Sequence, residues 1–150
     1  MRVMARLPIV GHLLKTGAVL RWDACVQRCP QATFFHRAGW QQIIRRVFRH
    51  PVHYFFAERD GQSVGVLPLA HVKSRLFGNA LVSLPFAVYA GVATEDEDVR
   101  SALEREAQAL AHSLGVDHLE FRNLQQHHQD WPAQDLYVTF RKEIFPTEDE

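Results

Sequence analysis

The sequence predicts an α/β (α+β) fold, in which a mixed sheet contains one parallel βαβ unit and has flanking helices. The segment 65–91 contains two strands that are apolar on both sides, as is typical of strands covered by helices on both faces of a sheet. The second of them, Ala80–Phe86, is followed by a helix at 95–114 and then by the strand Val116–Arg122. Because a crossover helix of this length joins parallel strands, we expect these two strands to pair in parallel.

The part of the chain before residue 60 is predicted to supply two helices and one strand. A short helix at Asp23–Arg28 comes first, and a brief extended piece at 33–35 follows it. The helix Ala38–Phe48 is better supported, because its apolar residues recur at spacings of three and four. The strand Val52–Glu58 then follows.

A hairpin joins this strand to the next one. Asp60-Gly61 is typical of a tight hairpin turn, so the returning strand, Val64–Val72, is predicted to be antiparallel to the one before it. Val64 and Val66 are expected on the same side of that strand. Pro68 has no N–H to donate, and it therefore predicts a bulge or an unpaired position in mid-strand.

The crossover helix has the clearest boundaries in the sequence. Thr94 and Glu97 form the pattern of a capping box, and Gly115 is a typical residue just after a helix end. Between them a continuous apolar stripe runs along one face, and Leu103 and Leu110 belong to it. We expect both leucines in the core.

Length and composition predict one domain. The expected divisions are a poorly defined N-terminal segment at 1–21, a single domain at 22–145 and an acidic tail at 146–150. Seventeen basic and seventeen acidic residues give no net charge, which argues against general nucleic-acid binding. No apolar run approaches the ~20 residues of a membrane span, so a cytoplasmic protein is expected. Cys25 and Cys29 are interpreted as small apolar thiols in a reducing compartment.

Five segments in order resemble the N-terminal half of FemAB-like proteins associated with PEP-CTERM/exosortase systems, within the FemAB/GNAT acyltransferase superfamily. They are WDACVQRCPQATFFHRAGW, HYFFAERDG, GVLPLAHVKSRLFGNALVSLPFAVYAG, LGVDHLEFRN and DLYVTFRK, and they extend from Trp22 to Lys142. The resemblance implies a GNAT-like acyl-CoA N-acyltransferase fold, here the first of two tandem domains. It also implies transfer of aminoacyl or acyl groups in cell-envelope or exopolysaccharide assembly, with tRNA as a partner on this ground alone. Family members tend to have Tyr-Gly-Gly where this chain has Tyr89-Ala90-Gly91.

Two other functions stay open beside this one, a stand-alone N-acyltransferase that uses acyl-CoA and a non-catalytic binding or assembly module. A CoA-binding GNAT domain needs a glycine-rich loop before a helix whose free N–H groups hold the pyrophosphate. In this chain the Gln/Arg-x-x-Gly-x-Gly/Ala pattern is missing, and four carboxylates occupy positions 95–98. We therefore expect no CoA and no other cofactor, and we expect the isolated chain to be inactive.

Candidate substrate-binding residues come from two places, while no catalytic residue is identified. Lys73 and Arg75 lie in the connector between the two apolar strands, where an anionic substrate can meet them. Tyr89, Arg122 and Asn123 follow the parallel strands at their carboxyl ends, where open α/β sheets bind ligands. Arg122 is suited either to orient a carboxylate or phosphate or to pair with Glu120.

The histidine pairs 50/53 and 127/128 lack the spacing of a zinc enzyme, and no metal is expected. Arg45, Arg46 and Arg49 are interpreted as a solvated helix face.

The expected partners are an anionic envelope precursor and a second GNAT-like domain. A last strand at 135–141 alternates apolar and polar residues, and no later strand covers its edge. An uncovered edge favours pairing with another chain. We therefore expect a homodimer with Tyr137 and Phe140 near the contact.

Overall fold

The computed structural model describes residues 9–12, 16–74, 78–134, 139–140 and 142. Within them a five-stranded sheet has the strands in sequence order, and all neighbours are antiparallel except the last pair. The elements are β1 (Ile9–His12), α1 (Thr16–Arg28), a 3₁₀ turn (Phe34–His36), α2 (Gly39–Arg46), β2 (Val52–Arg59), β3 (Gln62–Ser74), β4 (Gly78–Val82), α3 (Glu97–Leu114) and β5 (His118–Glu120).

The parallel pair predicted from the sequence is confirmed. Ala80, Leu81 and Val82 of β4 lie opposite His118, Leu119 and Glu120 of β5, and α3 is the connection between the two strands. Both strands are shorter than predicted, because the chain leaves the sheet after Val82 and does not return until residue 90.

Helices cover both faces of the sheet, as the two-sided apolar strands predicted. On one face Trp22 and Ile44, from α1 and α2, belong to the same buried cluster as Val66. On the other face Leu103 of α3 belongs to a cluster with Leu67. The central strand β3 therefore contributes to two cores at once.

The prediction of a bulge at Pro68 is wrong, whereas the prediction of a locally unpaired position is confirmed on the side of its nitrogen. Pro68 lies in register opposite Tyr54, and the register shift falls near the start of β3, where Val64 is the extra residue. This shift turns Val64 toward the α3 side, away from the side of Val66. Since the N–H of Val66 points away from β2 to the carbonyl of Ala93, the nitrogen of Pro68, two residues on, points the same way. The partners of β4 reach only as far as Ala70, so no ladder bond is lost at Pro68.

The first helical layer differs from the prediction in two places. The helix predicted at Asp23–Arg28 begins seven residues earlier, at Thr16, and Trp22 anchors it by donating from its indole Nε1 to the carbonyl of His36 at 2.6 Å. The piece predicted as extended at 33–35 contains the start of a 3₁₀ turn, which Thr33 caps. Side-chain hydrogen bonding by Thr33 favours the turn over an extended segment.

The capping box predicted at Thr94 is also wrong, whereas the helix end at Gly115 is confirmed. Asp96 is the N-cap residue of α3 and accepts from the backbone N–H groups of Asp98 and Val99. Thr94 instead donates to the carbonyl of Val64 at 2.9 Å. Gly115 has the left-handed conformation, with φ 59°, which stops the helix.

The two leucines predicted in the core differ in burial. Leu103 is fully buried, as predicted, whereas Leu110 is only partly buried against the same cluster. Leu110 lies nearer the carboxyl end of α3, where the short β5 leaves less of the sheet to cover it.

Several further expectations meet the structure only in part. The segment 1–21 contributes β1 and the start of α1, while most of the predicted last strand lies outside the described residues. The homodimer therefore stays a prediction, although Phe140 is 92% exposed.

Cys25 is a buried free thiol whose pKa is raised by burial. None of the described helices is long and apolar enough to cross a membrane.

Candidate functional site

A cleft of about 200 Å³ lies beyond the carboxyl ends of β4 and β5. Three separate parts of the chain line it, namely the turn region after α1, the loop before α3 and the segment after β5. The lining residues are Pro30, Gln31, His36, Tyr89, Gly91, Val92, Arg122, Asn123, Leu124, Gln125 and His127.

Hydrogen bonds join the chain after β4 to the residues at the end of β5 and just beyond it. The hydroxyl of Ser83 accepts from the N–H of Arg122 at 2.7 Å, and the N–H of Ser83 donates to Glu120 at 2.9 Å. The chain then leaves the sheet and returns when Ala90 and Gly91 both donate to the carbonyl of Arg122, at 3.0 and 3.1 Å. The loop 84–89 is therefore fixed at both ends.

The side chain of Arg122 also holds this loop. Its Nε donates to Oε1 of Glu120 at 2.7 Å, and one terminal nitrogen donates to the carbonyl of Ala87 at 2.9 Å. Of the two roles the sequence left open, the pairing with Glu120 is thus present. About a third of the Arg122 side chain stays exposed where it lines the cleft, so an anion can still reach its charge.

Gly91 is where two parts of the cleft wall approach each other most closely. A Cβ atom at this position would lie 1.8 Å from Oδ1 of Asn123 and 3.2 Å from its Cα. The residue before it, Ala90, is fully buried in the core. The close neighbour that requires glycine here is therefore Asn123 of the same chain.

His36 is buried beside the cleft, and both of its ring nitrogens are used. Nδ1 accepts from the N–H of Thr33 at 2.9 Å, so Nε2 carries the proton and donates to the carbonyl of Gly91 at 2.8 Å. Burial lowers the pKa of His36. The ring is a neutral support for the cleft wall and has no free nitrogen to act as a general base.

The N-terminus of α3 is already occupied by the chain's own groups. Asp96 accepts from the N–H groups of Asp98 and Val99, and its own N–H donates to the hydroxyl of Thr94. The hydrogen bond from Arg59 lowers the pKa of the Asp96 carboxyl and keeps it charged. At this helix end, which faces anions in many proteins, the Asp96 carboxylate thus takes two of the N–H donors and offsets the positive potential.

A buried arginine brings positive charge behind the cleft wall. Arg100 donates to Oε1 of Gln31 at 2.8 Å and, at 3.3 to 3.4 Å, to the carbonyls of Val92 and Thr94. Its carboxylate partner, Glu97, is largely exposed. Burial lowers the pKa of His127, and the charge of Arg100 adds to that effect.

The loop after β5 is fixed to α3. Nε2 of His128 and Oε2 of Glu104 are 2.8 Å apart, and Glu104 is buried. The ring of His128 stacks on Trp131 with centroids 4.2 Å apart. The described residues contain no cluster of three His, Cys, Asp or Glu side chains suited to a metal ion.

The structure brings together three of the five predicted substrate-binding residues. Tyr89, Arg122 and Asn123 all line the cleft. Lys73 of β3 lies opposite Asn79 of β4 in the sheet, at the other end of the parallel pair from the cleft. Arg75 lies outside the described residues. Sequence reasoning missed Gln31 and His36, because long-range packing brings them to the cleft. A Thr-x-x-His spacing typical of a capping contact was the one local signal.

The pH dependence of stability tests the environment of His36. Because its pKa is lowered in the folded state, the unfolded state takes up a proton first as the pH falls below about 6.5, and stability is lost there. We expect urea unfolding to show a lower free energy near pH 5.5 than near pH 7.5. In His36→Gln the loss of unfolding free energy between pH 7.5 and pH 5.5 should be smaller. It should not vanish, because the pKa of His127 is also lowered. An unchanged fall in the variant would contradict the assignment.

Comparisons with known proteins give matches by structure alone. No protein-family model matches the chain, and no curated protein does. The crystal structure of FemX matches with a TM-score of 0.57 and 17% identity, over 72% of this chain and 25% of that one. This chain thus spans about a quarter of FemX.

Two single acetyltransferases match over nearly their whole length. A GNAT family acetyltransferase from Staphylococcus aureus has a TM-score of 0.57 and 8% identity, over 93% of this chain and 100% of that one. An aminoglycoside 6′-N-acetyltransferase from Acinetobacter haemolyticus has a TM-score of 0.57 and 11% identity, over 91% and 99%. These matches show that the chain has a GNAT-like fold of the acyl and aminoacyl transferase type.

Proposed function

We propose that the chain is the substrate-side half of a FemAB-like aminoacyl or acyl transferase that acts in the cytoplasm in cell-envelope or exopolysaccharide assembly. The observation that carries this proposal is an open cleft beside a helix N-terminus that the chain itself has already filled. FemX is matched over a quarter of its length, which agrees with a part of a larger enzyme. The link to PEP-CTERM/exosortase systems is supported by the sequence resemblance alone.

The filled helix end argues against CoA as a ligand of this half. A pyrophosphate needs free N–H donors and positive potential, and here Asp96 takes both. Glu95, Glu97 and Asp98 surround it, and each is exposed. The negative charges of a pyrophosphate at this point would meet repulsion from four carboxylates and would not find the N–H donors that they need.

The cleft itself suits an anionic acceptor. About a third of the Arg122 side chain is exposed, and Arg100 adds a buried positive charge behind Gln31 and Val92. The amide of Asn123 supplies neutral hydrogen-bonding groups beside them. Of the two histidines that line the cleft, His36 has both ring nitrogens occupied, and the half-buried His127 has a lowered pKa. In the proposed enzyme this half binds and orients the acceptor, and the chemical step belongs to a second domain.

A stand-alone acyl-CoA N-acyltransferase is the alternative that one specific observation favours. The chain covers two single acetyltransferases almost completely, so its length is enough for a whole enzyme of that kind. The two functions differ in the ligand that binds the isolated chain, because only the alternative requires CoA.

Binding of an anionic sugar nucleotide tests the proposed function. UDP-N-acetylglucosamine, a small member of the envelope-precursor class, is expected to shift the backbone amide signals of Gly91, Arg122 and Asn123 in an NMR titration. Arg122→Gln should weaken binding about tenfold, which corresponds to about 1.4 kcal/mol.

The matched control for this titration is Arg105→Gln, which removes an exposed arginine from α3, outside the cleft. It should leave binding unchanged. Because Arg122 also holds the loop 84–89, urea unfolding and the amide spectrum of Arg122→Gln are recorded first, and Arg122→Lys serves as a second variant that keeps the charge. Equal effects of the two Gln variants, or no shifts at millimolar ligand, would overturn the proposal.

A further inference from the structure

A second surface, which shares no side chain with the cleft, combines exposed apolar side chains with arginines. We call it the arginine–aromatic surface, and it consists of α2, the turn after it and the tip of the loop 84–89. Its members are Arg45, Arg46, Val47, Phe48, Arg49, Phe86 and Val88.

Three apolar side chains of the arginine–aromatic surface are more than half exposed to solvent. Val47 is 67% exposed, Phe86 58% and Val88 53%. The rings of Phe48 and Phe86 stack with centroids 4.1 Å apart, which joins the turn after α2 to the loop. On α2, Ile44 is the buried member, so most of the helix surface faces outward.

The loop holds Phe86 outward by its backbone. Phe86 has a positive φ of 70°, a conformation that is unfavourable for a bulky side chain. Leu84, two residues earlier, also has a positive φ but is fully buried. The buried leucine and the hydrogen bond from Arg122 to Ala87 therefore fix a loop that presents an aromatic ring to solvent. Such a conformation persists where the surroundings over-determine it.

Charge in this chain is strongly segregated although the net charge is zero. Residues 24–57 and 61–94 contain no aspartate or glutamate, and these ranges include the whole arginine–aromatic surface. Asp23 accepts from the N–H of Ala38 at the start of α2, at the end of the helix away from Phe48. The carboxylates at 95–98 are held at the start of α3. The three arginines of the surface thus have no neighbouring acid along their own segments.

We propose that this surface binds peripherally to an anionic phospholipid bilayer. Arginines pair with the headgroup phosphates, while Val47, Phe86 and Val88 enter the boundary between headgroups and acyl chains. A solvated face, which the sequence predicted for the arginines, does not account for the exposed apolar residues between them. Single-stranded nucleic acid fits less well, because valine side chains offer no face for base stacking and one face of Phe86 is covered by Phe48.

Vesicle flotation tests this inference on the full chain. The probe is a set of vesicles of phosphatidylcholine with about one third phosphatidylglycerol, compared with vesicles of phosphatidylcholine alone. We expect the chain to float with the anionic vesicles at low salt, to bind the neutral vesicles far less and to be released as salt rises. These results are independent of the sugar-nucleotide titration, because the surface and the cleft use different side chains.

Two pairs of matched variants locate the binding surface. Phe86→Asn, which suits the positive φ, is compared with Phe34→Asn, an exposed phenylalanine outside the surface and the cleft, and Arg46→Gln is compared with Arg105→Gln. Loss of one arginine contact should weaken vesicle binding about fivefold and loss of Phe86 about tenfold, with no change in the controls. No flotation, equal binding to neutral vesicles, or equal losses in the controls would overturn the proposal. So would tighter Phe86-dependent binding to single-stranded RNA, or sedimentation showing this surface buried between two copies.

Discussion

Leu103→Ala is expected to lower the free energy of unfolding by about 2–5 kcal/mol, because the substitution removes a fully buried side chain and leaves a cavity. Leu103 lies in the cluster that joins α3 to β3 and includes Leu67 and Leu81, so the cavity would open between the crossover helix and the sheet. Urea unfolding monitored by circular dichroism measures the change, with equal slopes required for a simple comparison.

Leu110→Ala is the matched control on the same helix. Its side chain is only partly buried, so the variant should lose less than half as much stability as Leu103→Ala. Equal losses at the two positions would contradict the orientation of α3 on the sheet.

Gly91→Ala is expected to lower stability by about 1–3 kcal/mol, since the new Cβ would overlap the side chain of Asn123. Removing that side chain as well, in Gly91→Ala with Asn123→Ala, should recover part of the loss, and the coupling energy measures how directly the two residues meet. Recovery is expected to be incomplete because the backbone of Asn123 is also close, at 3.2 Å.

Gly39→Ala is the control for this pair. No atom lies within 4 Å of the added Cβ at that position, and Gly39 begins α2, so alanine is tolerated there. A neutral Gly91→Ala, or a loss that Asn123→Ala leaves unaltered, would show that the cleft wall adapts and is not fixed.

The sheet could be predicted where local patterns decide the structure. The apolar strands and the crossover helix predicted the parallel β4–β5 pair, and Asp60-Gly61 predicted the hairpin, where both residues have positive φ. Pro68 indicated a position without a strand partner on the side of its nitrogen, but it wrongly suggested a bulge. The place where β4 ends leaves that side unpaired, and this is a tertiary feature. Likewise Thr94 and Asp96 are both good N-cap residues, and the contacts with Val64 and Arg59 decide between them.

The candidate site was predictable to a similar extent. The rule that ligands bind beyond the carboxyl ends of parallel strands located Tyr89, Arg122 and Asn123. It could not locate Gln31 or His36, since the packing of α1 and the 3₁₀ turn against the loop before α3 depends on contacts more than 50 residues apart, such as His36 with Gly91. The sequence also did not show that Lys73 lies away from the cleft, at the other end of the same strands.

We expect that this chain does not bind CoA, because its own groups occupy the N-terminus of α3. Calorimetric titration of the chain with acetyl-CoA tests it most directly, with a GNAT acetyltransferase as the positive control. We predict no binding heat up to about 1 mM ligand, which bounds the binding free energy at about −4 kcal/mol. A micromolar dissociation constant that is lost on changing residues 91–98 would contradict it and would assign the chain to the stand-alone acyl-CoA N-acyltransferases.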